Sequence, residues 1–187
     1  FFEKHYSSYL EGELSQVWAS GRWTADYTER TWTNTYDLTY LASIPVVSDF
    51  YFELRNRSYR PSDHLGDLVP LWDTQWNPDM GTVPANRVTD SALAQIAQND
   101  EVQMVAHYAQ PHAPYIGTTT ILPWDKGEID EDMQGLLSQE IDRPNQRIYQ
   151  RIQSGDISTD ELRQAYEDNL LYVLDEVVRL VRHVDCP

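Results

Sequence analysis

Glu101-Val-Gln-Met-Val-Ala-His-Tyr108 is an apolar run that stops at Pro111 and begins just after Asn99-Asp100. A run of this length, rich in Val and bounded by turn formers, reads as a buried strand. Residues 91–98 in front of it read as a short helix, with Thr89 or Asp90 as N-cap. Further upstream, Asp37-Leu-Thr-Tyr-Leu-Ala-Ser43 reads as a second strand ended by Pro45. Residues 1–20 carry Phe2, Tyr6, Tyr9, Leu10, Leu14 and Val17 at three- and four-residue steps, which predicts an amphipathic helix closed by Gly21. Downstream, 128–153 read as a helical region broken near Pro144. Ser158-Thr-Asp-Glu161 is a capping box that opens a long helix with Leu162, Tyr166, Leu170, Val173, Leu174, Val177, Leu180 and Val181 on one broad face. Helix and strand therefore alternate, which predicts an α/β fold: a three-layer α/β/α sandwich with a mainly parallel sheet. A further strand is expected to follow the last helix.

Between these elements, 24–36 are rich in Thr, Trp and Tyr and read as strand or loop. Residues 59–86 hold Pro61, Pro70, Pro78 and Pro84 and read as a long ordered loop, of the kind that serves a site. The organisation predicted is one domain over 1–187: an N-terminal helix in 1–23, a strand and long loop in 24–86, and an α/β part with the C-terminal helix in 87–187. Phe1 is not an initiator and neither a signal h-region nor a twin-arginine motif opens the chain, so the sequence is expected to be processed, cut, or numbered from inside a longer protein.

The charge is lopsided. Fourteen Lys+Arg stand against 30 Asp+Glu, a formal net charge of −16 over 187 residues, and only Lys4 and Lys126 are lysines. No basic stripe exists to neutralise phosphates, which argues against nucleic acid, and no apolar run approaches the length of a membrane span. An acidic, lysine-poor surface suits a salt-saturated cytoplasm, where ions screen the repulsion between carboxylates, and also an ordinary acidic protein. Cys186 is the only cysteine and cannot form an internal disulfide.

The chemistry-bearing segment is His107-Tyr-Ala-Gln-Pro-His112-Ala-Pro-Tyr115-Ile-Gly117, directly after the strand over 101–108. In open α/β sheets, ligands bind at the carboxyl ends of strands. Prolines on both sides of His112 stiffen the loop, and a held imidazole suits an anionic ester as hydrogen-bond or proton donor. The same residues also suit a plain loop histidine satisfied by a backbone carbonyl. Asp125, Glu128, Asp130, Glu131 and Asp132 could offer oxygens to a divalent cation, although carboxylates also favour a helix start. His5, His64 and His183 have no ligand-like spacing. Trp23, Trp32, Trp72, Trp76 and Trp124 could line a sugar-binding cleft, and core packing is expected of at least half of them.

Val105-Ala-His-Tyr-Ala-Gln-Pro-His-Ala-Pro-Tyr-Ile-Gly117 resembles the central motif of the sulfatase-like branch of the alkaline-phosphatase superfamily, in its haloarchaeal form. Trp72-Asp-Thr-Gln-Trp-Asn-Pro-Asp-Met-Gly-Thr-Val-Pro84 and Val88-Thr-Asp-Ser-Ala-Leu93 are similar to the stretch that precedes it there. Ala165-Tyr-Glu-Asp-Asn-Leu-Leu-Tyr-Val-Leu-Asp-Glu-Val177 resembles the helix leading into that family's second metal-binding strand. The resemblance covers most of 24–185. It implies an alkaline-phosphatase-like sandwich, incomplete in this chain, in which His112 contacts the sulfate or phosphate of an ester, with sulfated or phosphorylated glycans among the expected substrates. His107 and Lys126 are its further substrate-binding candidates. It also implies a divalent metal (Ca, Mg, Mn or Zn) in the complete fold. The family's aspartate–nucleophile motif and its Asp-His-Gly motif have no match in this sequence. The chain is accordingly expected to hold no catalytic or metal residue of its own, and to act as a segment of a sulfatase-like hydrolase or transferase. The alternative is a degenerate binding or structural module of the same descent. An incomplete sheet is expected to expose an edge, and so to dimerise or pack on the rest of its protein.

Overall fold

The computed structural model describes residues 1–122 and 143–184. At its centre is a three-stranded parallel sheet in the order β2-β1-β3, formed by β1 (Tyr36–Ala42), β2 (Leu65–Pro70) and β3 (Met104–His107). Helices α1 (Phe2–Tyr9), α2 (Thr24–Thr31), α3 (Asp49–Leu54), α4 (Leu71–Thr74), α5 (Ala85–Gln98), α6 (Arg143–Ser154) and α7 (Thr159–Val181) surround it on both faces. A short antiparallel pair, β4 (Tyr115–Ile116) and β5 (Thr120–Ile121), follows β3. The α/β class and the parallel sheet agree with the sequence pattern.

The side-chain alternation of the strands assigns the two faces. Tyr40, Val105 and His107 point to the side of α2 and α3, where Ala25, Tyr51 and Phe52 form a small core with Val46 and Tyr59. Leu41 and Ala106 point to the side of α5 and α7. There the Tyr108 hydroxyl lies 3.0 Å from Thr89 Oγ1, and Ala85 packs against Leu170, Val173 and Leu174. The main core joins Tyr40, Leu41, Ala42, Val47, Leu65, Leu71, Trp72, Val83, Val88 and Ala92. The cap on α7 forms as expected, with Ser158 Oγ accepting from Glu161 N at 3.1 Å.

Four elements depart from the sequence expectations, each for a packing reason. The N-terminal helix stops at Tyr9, and residues 11–20 form neither helix nor strand. Only its first part finds a surface: Phe1 meets Tyr166, while Lys4 and His5 bond Glu167. Val17 (84% exposed) and Trp18 (102%) stand out in solvent, and an amphipathic stripe that is not buried against a partner does not hold a helix. Residues 24–31 are helical rather than strand-like. Arg57 binds Asp26 (2.7 Å) and Glu29 (2.8 Å) one turn apart, and Ala25 and Thr28 are buried, so tertiary contacts override the β propensity of Thr, Trp and Tyr.

The third departure is the stretch 59–86, which contains a 3₁₀ turn (Pro61–Asp63), β2, α4 and an Asn77–Thr82 bridge instead of one long loop. Gly66, Asp67 and Pro70 hid the strand, and they are tolerated because β2 lies at the edge of the sheet. Fourth, α5 starts at Ala85, six residues before the expected start at 91. Thr89 is no cap, since its hydroxyl is buried inside the helix and bonds back to Ala85 O at 3.3 Å. Pro144 falls in the first turn of α6, which begins at Arg143, where a proline is compatible with helix. The earlier part of that expected helical region lies outside the described residues.

Candidate functional site

The carboxyl ends of the three strands converge on one edge. The connections leaving β1 and β3 diverge from neighbouring strands there: β1 runs out to α3 on one face, and β3 leads on to the α7 side of the other. This divergence between adjacent parallel strands is where open α/β sheets form their binding crevice. Just past each strand end lies a buried polar atom with no partner among the described residues: Ser43 Oγ after β1, Trp72 Nε1 after β2 and Gln110 Oε1 after β3. Trp32 Nε1 and Trp76 Nε1 are buried without a described partner as well, away from these strand ends in sequence.

His112 stands on that edge, on the loop between β3 and β4. The loop is pinned from two sides. Gln110 Nε2 donates to Val83 O (3.2 Å), and Asn169, fully buried on α7, holds the far side. Asn169 Nδ2 donates to His112 O (3.2 Å) and Pro114 O (3.4 Å), and its Oδ1 accepts from Ile116 N (3.3 Å). Next to it, Asp168 Oδ2 accepts from Thr119 N at 2.8 Å. Gly117 lies so close to α7 that an added Cβ would sit 2.5 Å from Asp168 C and 2.7 Å from Asn169 N. The peptide bonds before Pro111 and Pro114 are both cis. The result is a fixed His112 backbone and an exposed ring that bonds no other described residue.

His107 plays a different part. It ends β3 and turns toward α2, where its Nδ1 lies 3.0 Å from the Tyr40 hydroxyl, with the two rings edge to face. Burial pushes its imidazole down to about 4, and repulsion from His112 adds to the shift. Burial also raises the Tyr40 hydroxyl well above the ordinary tyrosine value, with Tyr27 as the second cause. Both groups are therefore neutral at pH 7. They floor a cleft of about 360 Å³ walled by Gly21, Arg22, Trp23, Tyr27 and Val105.

The structure thus separates the sequence candidates. His112 and His107 are close enough to interact electrostatically, yet only His107 lines the cleft. Lys126, the acidic group at 125–132 and Trp124 lie outside the described residues. Of the remaining tryptophans, Trp72 is buried in the main core, Trp32 and Trp76 pack against it, and Trp23 alone reaches the cleft. His5 bonds Glu167, His64 stacks on Tyr59 and His183 bonds Arg179 O. Among the described residues no three His, Cys, Asp or Glu side chains gather as a metal ion requires, so these residues do not fit a metal centre. No helix among them is long and apolar enough to cross a membrane.

Asn169 is the site residue that motif reading passed over. Its signal was present, as a lone amide inside the apolar stripe running from Leu162 to Leu180. Comparison with protein-family models, with curated proteins and with solved structures finds no match.

Proposed function

We propose that this chain is the central segment of a sulfatase-like domain, and that the carboxyl edge of its sheet binds the sulfate or phosphate group of an ester through His112. The observation that carries this reading is the doubly pinned loop, which presents an exposed imidazole beside the point where the strand connections diverge. An imidazole fixed in this way donates a hydrogen bond to an anion without first paying to order its backbone. His107 is held by Tyr40 and stays neutral, so it adds no charge that would compete for the anion. The nucleophile and the divalent metal of the reaction belong, on this reading, to residues outside this numbering. On this reading an aspartate–nucleophile motif should lie upstream of Phe1 and an Asp-His-Gly motif downstream of Pro187 in the full polypeptide. Lys126 is retained as a further substrate contact of the same proposal, and an acidic, salt-adapted archaeal cytoplasm as its setting.

The test is an NMR titration of the chain with inorganic phosphate and sulfate, following the histidine ring signals. Saturable shifts at His112 are expected, and His112→Ala should abolish binding while leaving the far-UV circular dichroism unchanged. Binding that survives His112→Ala, or shifts confined to His64 and His183, would remove the assignment. Anion binding at His112 without either flanking motif in the full polypeptide would instead favour the non-catalytic module.

A further inference from the structure

The cleft between α2 and the sheet is not lined by His112, and its chemistry sets it apart from the rest of this surface. Its floor is the His107–Tyr40 pair, whose side chains stand on the α2 face of the sheet rather than at its edge. A strand added beside β3 would bond in the plane of the sheet and leave these side chains on their face. Two half-exposed rings one helical turn apart, Trp23 (45%) and Tyr27 (41%), form the wall. The Trp23 ring is held in place. It meets Tyr51 edge to face at 6.3 Å, and the Arg57 guanidinium lies 5.3 Å from its centre. Gly21 lets the incoming chain press against α2, since an added Cβ would sit 2.1 Å from Tyr27 N. Exposed Arg22 follows at the mouth.

Charge singles the cleft out. The chain has 30 Asp+Glu against 14 Lys+Arg, yet no carboxylate lines the cleft and an arginine does. Arg57, Arg60 and Arg179 are each taken up by carboxylates, whereas the Arg22 guanidinium bonds no other described residue. On a surface that repels anions, this leaves one free cation beside a cleft without carboxylates. A single cation matches a single negative charge. The floor asks for something else. Tyr40 Oη and His107 Nδ1 share one hydrogen bond, and whichever proton fills it, the neutral pair keeps one donor and one acceptor. Such a pair suits a hydroxyl, which gives and takes, and does not suit a second charge. Between mouth and floor lie the flat faces of two aromatic rings.

We propose that this cleft binds a small aromatic acid, with its ring along Trp23 and Tyr27, its carboxylate on Arg22 and a ring hydroxyl on the His107–Tyr40 pair. At about 360 Å³ the cleft is at the small end for ligand sites, with room for one ring. A sugar of the same size carries hydroxyls on every side, whereas here the charge sits at the mouth and the hydrogen-bonding pair at the floor. The wall is pre-set by Tyr51 and Arg57, so binding need not order the Trp23 side chain. The proposal does not rest on the anion reading at His112.

An NMR titration of the whole chain with 4-hydroxybenzoate tests this, with phenol, tyramine and glucuronate as comparison probes. Saturable shifts are expected in the amides of 21–27 and 105–108 and in the His107 ring. Phenol, which lacks the carboxylate, should bind about tenfold more weakly, as the loss of one charged hydrogen bond predicts. Tyramine, with an ammonium in its place, should not bind. Arg22→Gln should weaken 4-hydroxybenzoate by about the same factor, while Arg163→Gln, an exposed arginine on α7 outside the cleft, should leave binding unchanged. Should either variant fail to fold, the probe series on the unmodified chain decides alone. Absence of saturable shifts overturns the proposal, and is the result if other residues of the polypeptide fill the cleft. Phenol or tyramine binding as tightly as 4-hydroxybenzoate overturns it too, because Arg22 would then contribute nothing. Glucuronate binding as tightly would put a sugar where the aromatic ring is proposed and would overturn it equally. Shifts confined to the His112 ring would move the acid to the other site and leave this cleft without a ligand.

Discussion

Replacing Asn169 by Leu tests whether α7 holds the His112 loop. The substitution roughly keeps side-chain volume and removes all three loop bonds at once. Two of them, at 3.2 and 3.3 Å, are ordinary and the one to Pro114 O, at 3.4 Å, is long. A typical net worth of about 1 kcal/mol for a good bond, with the long one counting for less, gives about 2 kcal/mol. Leaving Ile116 N–H facing an apolar side chain adds about 1 kcal/mol, for a total of about 3 kcal/mol. At this chain length that lowers the melting temperature by about 6–12 °C. Asn169→Asp separates the donor from the acceptor role. Its carboxylate still accepts from Ile116 but repels the carbonyls of His112 and Pro114, so its folded pKa is raised above the unfolded value of about 3.9. A raised carboxyl pKa means stability is lost as the pH climbs past that unfolded value, so the Asp variant should be weakest at neutral pH and recover near pH 4. Urea unfolding of both variants in molar KCl, with Ile116 amide exchange as the local probe, gives the readout. A loss below about 1 kcal/mol for Leu, or a deficit in Asp that ignores pH, would show that the loop is held by something else.

Three further outcomes are expected. Gly117→Ala forces a methyl against the backbone of α7 at Asp168 and should cost about 1–3 kcal/mol in urea unfolding, with Thr119 losing amide protection. His107 is held neutral in the fold, so the unfolded chain takes up its proton first on acidification. Stability from this group is present above about pH 6.5 and lost as the pH falls toward 4, about 2 kcal/mol of it between pH 7 and 5; His107→Gln, which keeps a partner for Tyr40 and does not titrate there, should flatten that fall. Finally, the net charge of −16 predicts a urea midpoint that rises from dilute buffer to molar KCl, and a midpoint indifferent to salt would remove the salt-adapted reading.

What could be read from sequence was what depends on local pattern. β3 showed itself as an apolar run between turn formers, and α7 as a capping box ahead of a broad stripe. β1 was placed to within a residue. The elements that escaped owe their state to distant partners. α2 is a helix because Arg57, 28 to 31 residues on, bridges its two carboxylates. β2 tolerates Gly66 and Pro70 only because its outer side is unpaired, a fact of strand order that composition does not carry. Residues 11–20 have a helical pattern and no surface to lay it on. The site divides in the same way. That His112 follows a strand was plain from the chain, while its anchor Asn169 lies 57 residues away and looked like an interruption in an apolar face. The pairing of Tyr40 with His107 depends on sheet register, which no single stretch reveals.

The 23 residues of α7 make it a rod that touches nearly everything of consequence here. Near its middle Asn169 grips the His112 loop, and farther along Arg179 bonds Asp90 on α5 at 2.8 Å while Leu180 packs against the sheet core. From Asn169 to Arg179 is ten residues, about 15 Å along a helix. Tilting such a lever by about 5° around its α5 contact would carry Asn169 by about 1.3 Å on that geometry, more than a hydrogen bond stretches before it breaks. The aim of the exposed imidazole is therefore set partly by residues that never approach it. Repacking Thr89, Asp90 or Glu176 would turn the loop as surely as cutting at the loop itself, and, if the proposed anion binding holds, a search for variants with altered anion preference has reason to begin at that far end.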